Sequence, residues 1–393
     1  MMEKTWRWFG KKDKITLPML RQIGVEGIVT ALHDIPNGEI WTIEAINALK
    51  SYIESYGLRW SVVESLPVCE AIKYGGTERE QLNYKVSLTN LGKCGIKTVC
   101  YNFMPVIDWI RTDLQYLCPD GTSSLYYDRI RFAYFDMKIL EREGAEKDYT
   151  EEELHKVSEL DQVITEKEKD DLIDTIIVKT QGFVNGNIKE GDKEPVVLFK
   201  RLLTLYKDIN RDILRENMCH FLSAIMPVCE EYGVNMCVHP DDPPFQVLGL
   251  PRIVTNEEDI AWFLNAVDNP HNGLTFCAGS LSAGEHNDTR ELAKKFAKRT
   301  HFIHLRSTAA MPGGNFIESS HLAGRGHIID LIRIFEKENP GLPMRIDHGR
   351  MMLGDEDKGY NPGYSFYGRM LALAQVEGMM TVVDDEIKRQ MKL

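Results

Sequence analysis

Short runs of apolar and β-branched residues recur along the chain, and most close on a polar or reactive side chain before a stretch with helical spacing begins. The runs are TWRWFG (5–10), VEGIVTAL (25–32), LRWSVVES (58–65), IKTVCYNF (96–103), VNMCVHP (234–240), LTFCAGS (274–280), HFIHLRS (301–307) and MRIDHG (344–349). The intervening periodicity predicts helices over 17–23, 43–55, 78–94, 214–232, 257–267, 289–298 and 327–337, with a closing helix over 367–376. Strands and helices alternating eight times give the count of a (β/α)8 TIM barrel. A doubly wound parallel sheet is the other arrangement of the same units.

The spacing breaks once, between Phe103 and Val234. The whole chain, 1–393, therefore reads as a single barrel domain, with residues 104–210 forming a long, largely helical insertion after the fourth strand. The centre of the insertion, 144–176, is charged and helix-favouring; in YTEEEL, Thr150 stands as an N-cap with Glu153 three residues on, a capping box. Charge runs mark solvated faces as well as lids. The insertion thus reads either as a helical cover over the catalytic face or as a solvated decoration.

With 43% hydrophobic and 27% charged residues, the 393-residue chain has the composition of a protein with a sizeable core. A formal net charge of −12 excludes a general nucleic-acid binder, which needs clustered Lys and Arg. No run is long enough to span a membrane, and the opening MMEKTWRWFGKKDK lacks the apolar core of a signal peptide, so the expectation is a cytoplasmic protein with no membrane partner. The sequence leaves the oligomeric state open, a homo-oligomer included. Its eight cysteines are scattered without a CxxC pair, the pattern of buried thiols and not of a disulfide framework.

In a TIM barrel the active site forms at the C-terminal ends of the strands. The last four strand runs end in His239, Cys277, His304 and Asp347: two imidazoles, a thiol and a carboxylate. Such a mixed set suits a divalent transition metal, Mn, Fe, Co or Zn, better than Mg or Ca, which prefer oxygen shells. Cys237 competes for the thiolate position, but it sits deeper in its strand than Cys277. Strand alternation puts Arg306 on the face of His304 and Arg345 on the face of Asp347, which suits Arg306 to a forked contact with a substrate carboxylate. Arg7, His33, Glu64 and Asn102 end the first four strands and are candidate substrate contacts. Trp6, Trp8 and Trp60 are either sugar-stacking rings or core.

The strings TWRWFG, GIVTALHDIPNGEIW, WSVVES, GIKTVCYNFMPVIDWIRTDL, VHPDDPPFQVLGLPRIV, THFIHLRST and RIDHGR, followed by NPGYS, resemble the mannonate dehydratase family over nearly the whole chain. The resemblance implies a xylose-isomerase-like TIM barrel. It also implies dehydration of a small aldonate, D-mannonate, to 2-keto-3-deoxy-D-gluconate in hexuronate (glucuronate) catabolism, with Mn(II) or Fe(II). Its metal ligands fall on His239, Cys277, His304 and Asp347, and its acid–base positions on His348 and Tyr364, with Tyr360 and Tyr367 as competitors for the last. Two rivals remain: a sugar isomerase or epimerase on the same barrel, whose sites favour carboxylate-rich ligand sets, and a non-catalytic sugar-acid-binding barrel.

Overall fold

The computed structural model describes residues 1–76, 78–182, 188 and 191–391. Its strands are β1 (Glu3–Arg7), β2 (Gly27–Thr30), β3 (Arg59–Glu64), β4 (Thr98–Tyr101), β5 (Asp113–Leu117), β6 (Ser123–Tyr127), β7 (Asn235–Val238), β8 (Asn272–Cys277), β9 (Thr300–Leu305), β10 (Thr308–Met311), β11 (Asn315–Glu318) and β12 (Pro343–Ile346). Eight of them close a parallel barrel in the order β1-β12-β9-β8-β7-β4-β3-β2. The (β/α)8 reading therefore holds, and the doubly wound sheet is excluded.

Every residue of β2, β4 and β8 is buried, as parallel strands must be when helices cover one face and barrel packing fills the other. Val29, Val62, Cys100, Cys237 and Phe302 form a separate cluster drawn from five barrel strands. The larger core lies between barrel and helices and takes in Trp6, Trp8 and Trp60, so these indoles pack instead of meeting a sugar. The long helix Arg211–Tyr232 shows how the sequence sets such an element. Asn210 caps its start by accepting from the Ile213 N–H at 2.9 Å, and Gly233, at φ +60°, turns the chain directly into β7.

The insertion differs from its expected helical character at its start. Residues 113–127 form the hairpin β5–β6, which joins a second hairpin, β10–β11, in an antiparallel sheet of order β10-β11-β6-β5. Helices then follow at Arg129–Tyr134, Glu151–Asp161, Glu166–Ile173 and Pro195–Thr204. Thr150 and Glu153 do form the capping box. The insertion has its own core, with Ile107, Ile110, Phe132, Phe135, Ile176 and Phe199 packed against Tyr127 and Phe316 of the small sheet. It is a packed body and not a solvated decoration.

The closing helix runs over Phe366–Gln390, well beyond 367–376. Its polar and apolar residues alternate too irregularly along the outer half for periodicity to mark its end. Among the described residues no helix is long and apolar enough to cross a membrane. The loop between β12 and this helix is fastened at both ends: Gly349 N–H donates to Gly363 O at 2.9 Å, and the Asp355 carboxylate accepts from the N–H groups of Phe366 and Tyr367 at 3.1 and 2.9 Å. At Gly368 the helix meets the Arg350 carbonyl so closely that a methyl group would run into it. Gly368→Ala is therefore expected to destabilise the fold by about 1–3 kcal/mol, the usual cost of overpacking against backbone. Denaturant unfolding would measure this, and an unchanged midpoint would show that the loop yields.

Candidate active site

Parallel register sets the first layer of the site. Cys277 pairs with His304 across β8 and β9, His304 with Arg345 across β9 and β12, and Glu64 with Cys100 across β3 and β4. Inward-pointing strand ends thus meet at one mouth. One ligand atom each from His239, Cys277 and His304 lies within 4.8 Å of the other two. Asp347 Oδ2 approaches two of the three residues, at 3.8 Å from Cys277 Sγ and 3.6 Å from His304 Nδ1. Cys237 lies in the barrel-interior cluster, its Sγ 3.4 Å from Val99 O, away from this group.

The two imidazoles are prepared differently. His239 Nδ1 lies 2.7 Å from Pro240 O, so a proton there fixes the tautomer of the neutral ring and directs its Nε2 lone pair to a metal. His304 is fully buried, and among the described residues neither of its ring nitrogens makes a hydrogen bond. Glu64 Oε1 at 3.4 Å from Nε2 and Asp347 Oδ2 at 3.6 Å from Nδ1 flank the ring without making the hydrogen bonds that normally offset the desolvation of a buried imidazole. Burial and the Arg345 guanidinium hold His304 well below the ordinary imidazole range. For His239 burial acts in the same direction, but its interaction with the Cys277 sulfur, by charge and by hydrogen bond, prevails and pushes the ring up to about 10. Phe302 supports His304 from below, edge to face at 4.7 Å.

Around this group the structure builds a lattice of buried charges. Asp347 accepts from Arg345 at 2.6 Å and from Arg306 at 3.1 Å. Glu64 receives Arg345 at 2.9 Å and stands 3.5 Å from Arg7. Asp242 is held by Arg306 at 2.6 Å and Arg111 at 2.9 Å, and Glu318 by Arg111 at 2.5 Å and Arg306 at 3.2 Å. Burial alone would raise each carboxyl, yet the guanidinium groups keep Asp242, Glu318 and Asp347 below the usual carboxylate range. Arg306 does reach the site, but its fork holds Asp242 and Asp347. A substrate carboxylate would have to displace one of them.

His348 and Tyr364 come together at the rim. Their rings meet edge to face at 5.0 Å, and Tyr364 O–H donates to Asp347 Oδ1 at 3.3 Å. Burial first, and then the Asp347 charge, push the Tyr364 phenol well above its ordinary range, so it keeps its proton. Tyr367 is 42% exposed and Tyr360 lines a cavity of about 1310 Å³, whereas Tyr364 contacts both His348 and Asp347. Of the remaining strand-end residues, Arg7 and Glu64 belong to the charge lattice. Asn102 bonds the Asp108 carboxyl, and His33 is exposed beside Phe9, 6.1 Å between rings.

Sequence reasoning passed over Asp242, Glu318, Arg111 and Trp109. Asp242 and Trp109 lie inside strings quoted for the family resemblance, and Glu318 ends a hairpin whose Pro-Gly-Gly turn at 312–314 was a legible signal. Arg111 lies in the same string as Trp109, but nothing local marks its role, because its partners are 131 and 207 residues away.

The depressed carboxylates give a stability prediction for the metal-free protein. Their folded pKa values lie below the unfolded ones, near 4, so their contribution is fully present above that pH and is lost as pH falls through the folded values. Asp242→Asn leaves Arg111 and Arg306 short of a charge, and should cost about 3–5 kcal/mol at pH 7. It should also flatten the acid limb of a urea-midpoint series taken from pH 7 downwards. An acid limb as steep as that of the parent would show that Asp242 is not depressed.

The pattern of the family described as D-mannonate dehydratase (UxuA) matches residues 2–390. A mannonate dehydratase from Marinomonas sp. is 45% identical over 390 residues, covering 96% of this chain and 98% of that one. Another, from Chromohalobacter salexigens, is 43% identical over 393 residues, covering 97% and 99%. The crystal structure of mannonate dehydratase from Streptococcus suis serotype 2 superposes with a TM-score of 0.79 at 34% identity, covering 98% of this chain and 96% of that one. A D-tagatose 3-epimerase-like protein superposes at 0.52 with 9% identity, a likeness of fold alone. Full-length agreement with the family pattern, with both relatives and with the Streptococcus suis structure places this chain in the D-mannonate dehydratase family.

Proposed function

We propose that the chain is a hydro-lyase that dehydrates D-mannonate to 2-keto-3-deoxy-D-gluconate and water in hexuronate breakdown, with Mn(II) or Fe(II) held by His239, Cys277, His304 and Asp347. The observation that carries the metal reading is His304: a fully buried imidazole with both nitrogens free of hydrogen bonds, beside the ligand atoms of His239 and Cys277. The donor set fits the ion, since two imidazoles, a thiolate and a carboxylate favour a transition metal over Mg or Ca. It differs from the carboxylate-rich sets of sugar isomerases, which argues against that rival.

Dehydration requires taking a weakly acidic proton from C2, beside the carboxylate, and expelling the C3 hydroxyl as water. A bound divalent ion would supply Lewis acidity for the charge that develops next to the carboxylate. His348 and Tyr364 form the acid–base pair: one takes the C2 proton and the other delivers a proton to the departing hydroxyl, leaving an enol that tautomerises to the 2-keto acid. Arg345 and Arg306 orient Asp347 as a ligand. Arg7, Arg306, His33, Glu64 and Asn102, at or just beyond the ends of their strands, are the residues proposed to meet the aldonate.

Chelation should abolish turnover of D-mannonate, and Mn(II) or Fe(II) should restore it under anaerobic conditions. Full activity in exhaustively metal-free protein would overturn the metal reading. Cys277→Ser should lose metal far more readily than Cys237→Ser, measured as bound metal per chain after dialysis; equal retention would mean the thiolate is misassigned. His348→Asn and Tyr364→Phe should each keep metal and fold while lowering kcat by about a hundredfold or more. In deuterated water, a variant that exchanges the C2 hydrogen without forming product has kept the base and lost the acid. Near-normal turnover by both variants would remove the pair from the reaction.

A further inference from the structure

His348 is confined on two sides by rings from distant parts of the chain. Tyr364 meets it edge to face, and Trp109, from the first loop of the insertion, lies 5.0 Å away at 48°. Its Nδ1 is 3.5 Å from Glu318 Oε1 and 3.4 Å from Arg306 Nη1. An imidazole turns about two side-chain bonds, and flanking rings remove that freedom. Trp109 can do this only if its own backbone is fixed.

The fixing group is Gln181, which is buried and 72 residues further along the insertion. Its Oε1 accepts from Asp108 N–H at 3.1 Å, and its Nε2 donates to Trp109 O at 2.7 Å. One amide side chain thus satisfies a donor on Asp108 and an acceptor on Trp109, and so fixes the backbone on both sides of the peptide that joins them. Nε2 also donates to Thr180 Oγ1 at 2.8 Å, and Thr180 Oγ1 in turn donates to Ile176 O at 2.8 Å, so the amide cannot flip without losing its partners. Arg111 stands 5.7 Å from the indole.

We propose that Trp109 and Gln181 are positioning residues for the reaction: Trp109 holds the His348 ring, Gln181 holds Trp109, and the insertion is one wall of the active site. This rests on the acid–base reading of His348. Misplacing a reacting group by about 1 Å can cost up to a hundredfold in rate, whereas substrate affinity does not depend on the setting of that ring.

The test is a set of double-mutant cycles with D-mannonate, in metal-loaded enzyme with bound metal and circular dichroism checked throughout. Gln181→Met and Trp109→Leu should each lower kcat about tenfold with KM within about twofold of the parent. In the His348→Asn background the same changes should cost less than about twofold, because no positioned imidazole remains to be misplaced. Trp109→Phe, which keeps a ring, should recover most of the loss. Should Gln181→Met fail to fold, Gln181→Glu keeps the shape while setting a carboxylate oxygen against Trp109 O, and is expected to lower kcat in the same way. Equal losses in both backgrounds would reduce Trp109 and Gln181 to structural residues. A rise in KM with kcat unchanged would make Trp109 a substrate contact and overturn the positioning role. An unimpaired His348→Asn single variant would remove the acid–base reading itself, and the inference with it.

Discussion

Taking a carboxylate such as Asp347 out of water costs several kcal/mol unless cations replace the lost hydration. At this barrel mouth four carboxylates, Glu64, Asp242, Glu318 and Asp347, are interleaved with four guanidinium groups, Arg7, Arg111, Arg306 and Arg345, so the formal charges cancel. Each carboxylate lies within ion-pair distance of two arginines, and no arginine in the lattice can swing without abandoning a buried anion. That constraint gives Asp347 a fixed direction beside His304 and Cys277. It also ties together strand ends from β1, β3, β9 and β12, the loop after β7, the hairpin β10–β11 and the insertion.

The barrel was legible because its strands carry a strong local signal: continuous apolar runs closing on ligand-type residues such as His239 and Cys277. The local capping of Thr150 by Glu153 was legible for the same reason. What escaped was set by distance along the chain. The strand β5 reads as mixed polar and apolar because it is an exposed strand of a small sheet, and only its pairing with β6, and through β6 with β11, gives it its structure. Strand alternation puts Arg306 on the face of His304, but it carries no information about Asp242 and Glu318, which occupy its donors. The Tyr364 environment was likewise invisible, since Asp347 lies 17 residues away and burial is a property of the folded loop.

The D-tagatose 3-epimerase-like barrel shares the fold at 9% identity, so the barrel by itself does not define the chemistry. The candidate chemistry of this chain is mounted on the strand ends: a thiol among imidazoles at the mouth, and beside it His348 and Tyr364 on a loop closed by the Gly349–Gly363 hydrogen bond. The closing helix contributes by holding that loop, with Arg369 donating to the carbonyls of Tyr364 and Ser365 at 2.9 and 3.0 Å and lying over the Trp6 ring at 4.0 Å. A residue of the outer helical layer thereby reaches across a barrel-strand indole to the backbone of the site.

Arg111 enters the lattice from the insertion, whereas Asp242 enters from the barrel loop after β7 and Glu318 from the hairpin that follows β9. These three segments are coupled through Arg111, because a change of sign there sets a like charge against both buried partners, and a change at either carboxylate reaches the insertion through Arg111. Chimaeras that exchange the insertion between relatives should succeed only when this triad travels as a set. The modular look of a barrel with an inserted body therefore hides a single electrostatic unit, whose seams run through its ion pairs and not through its loops.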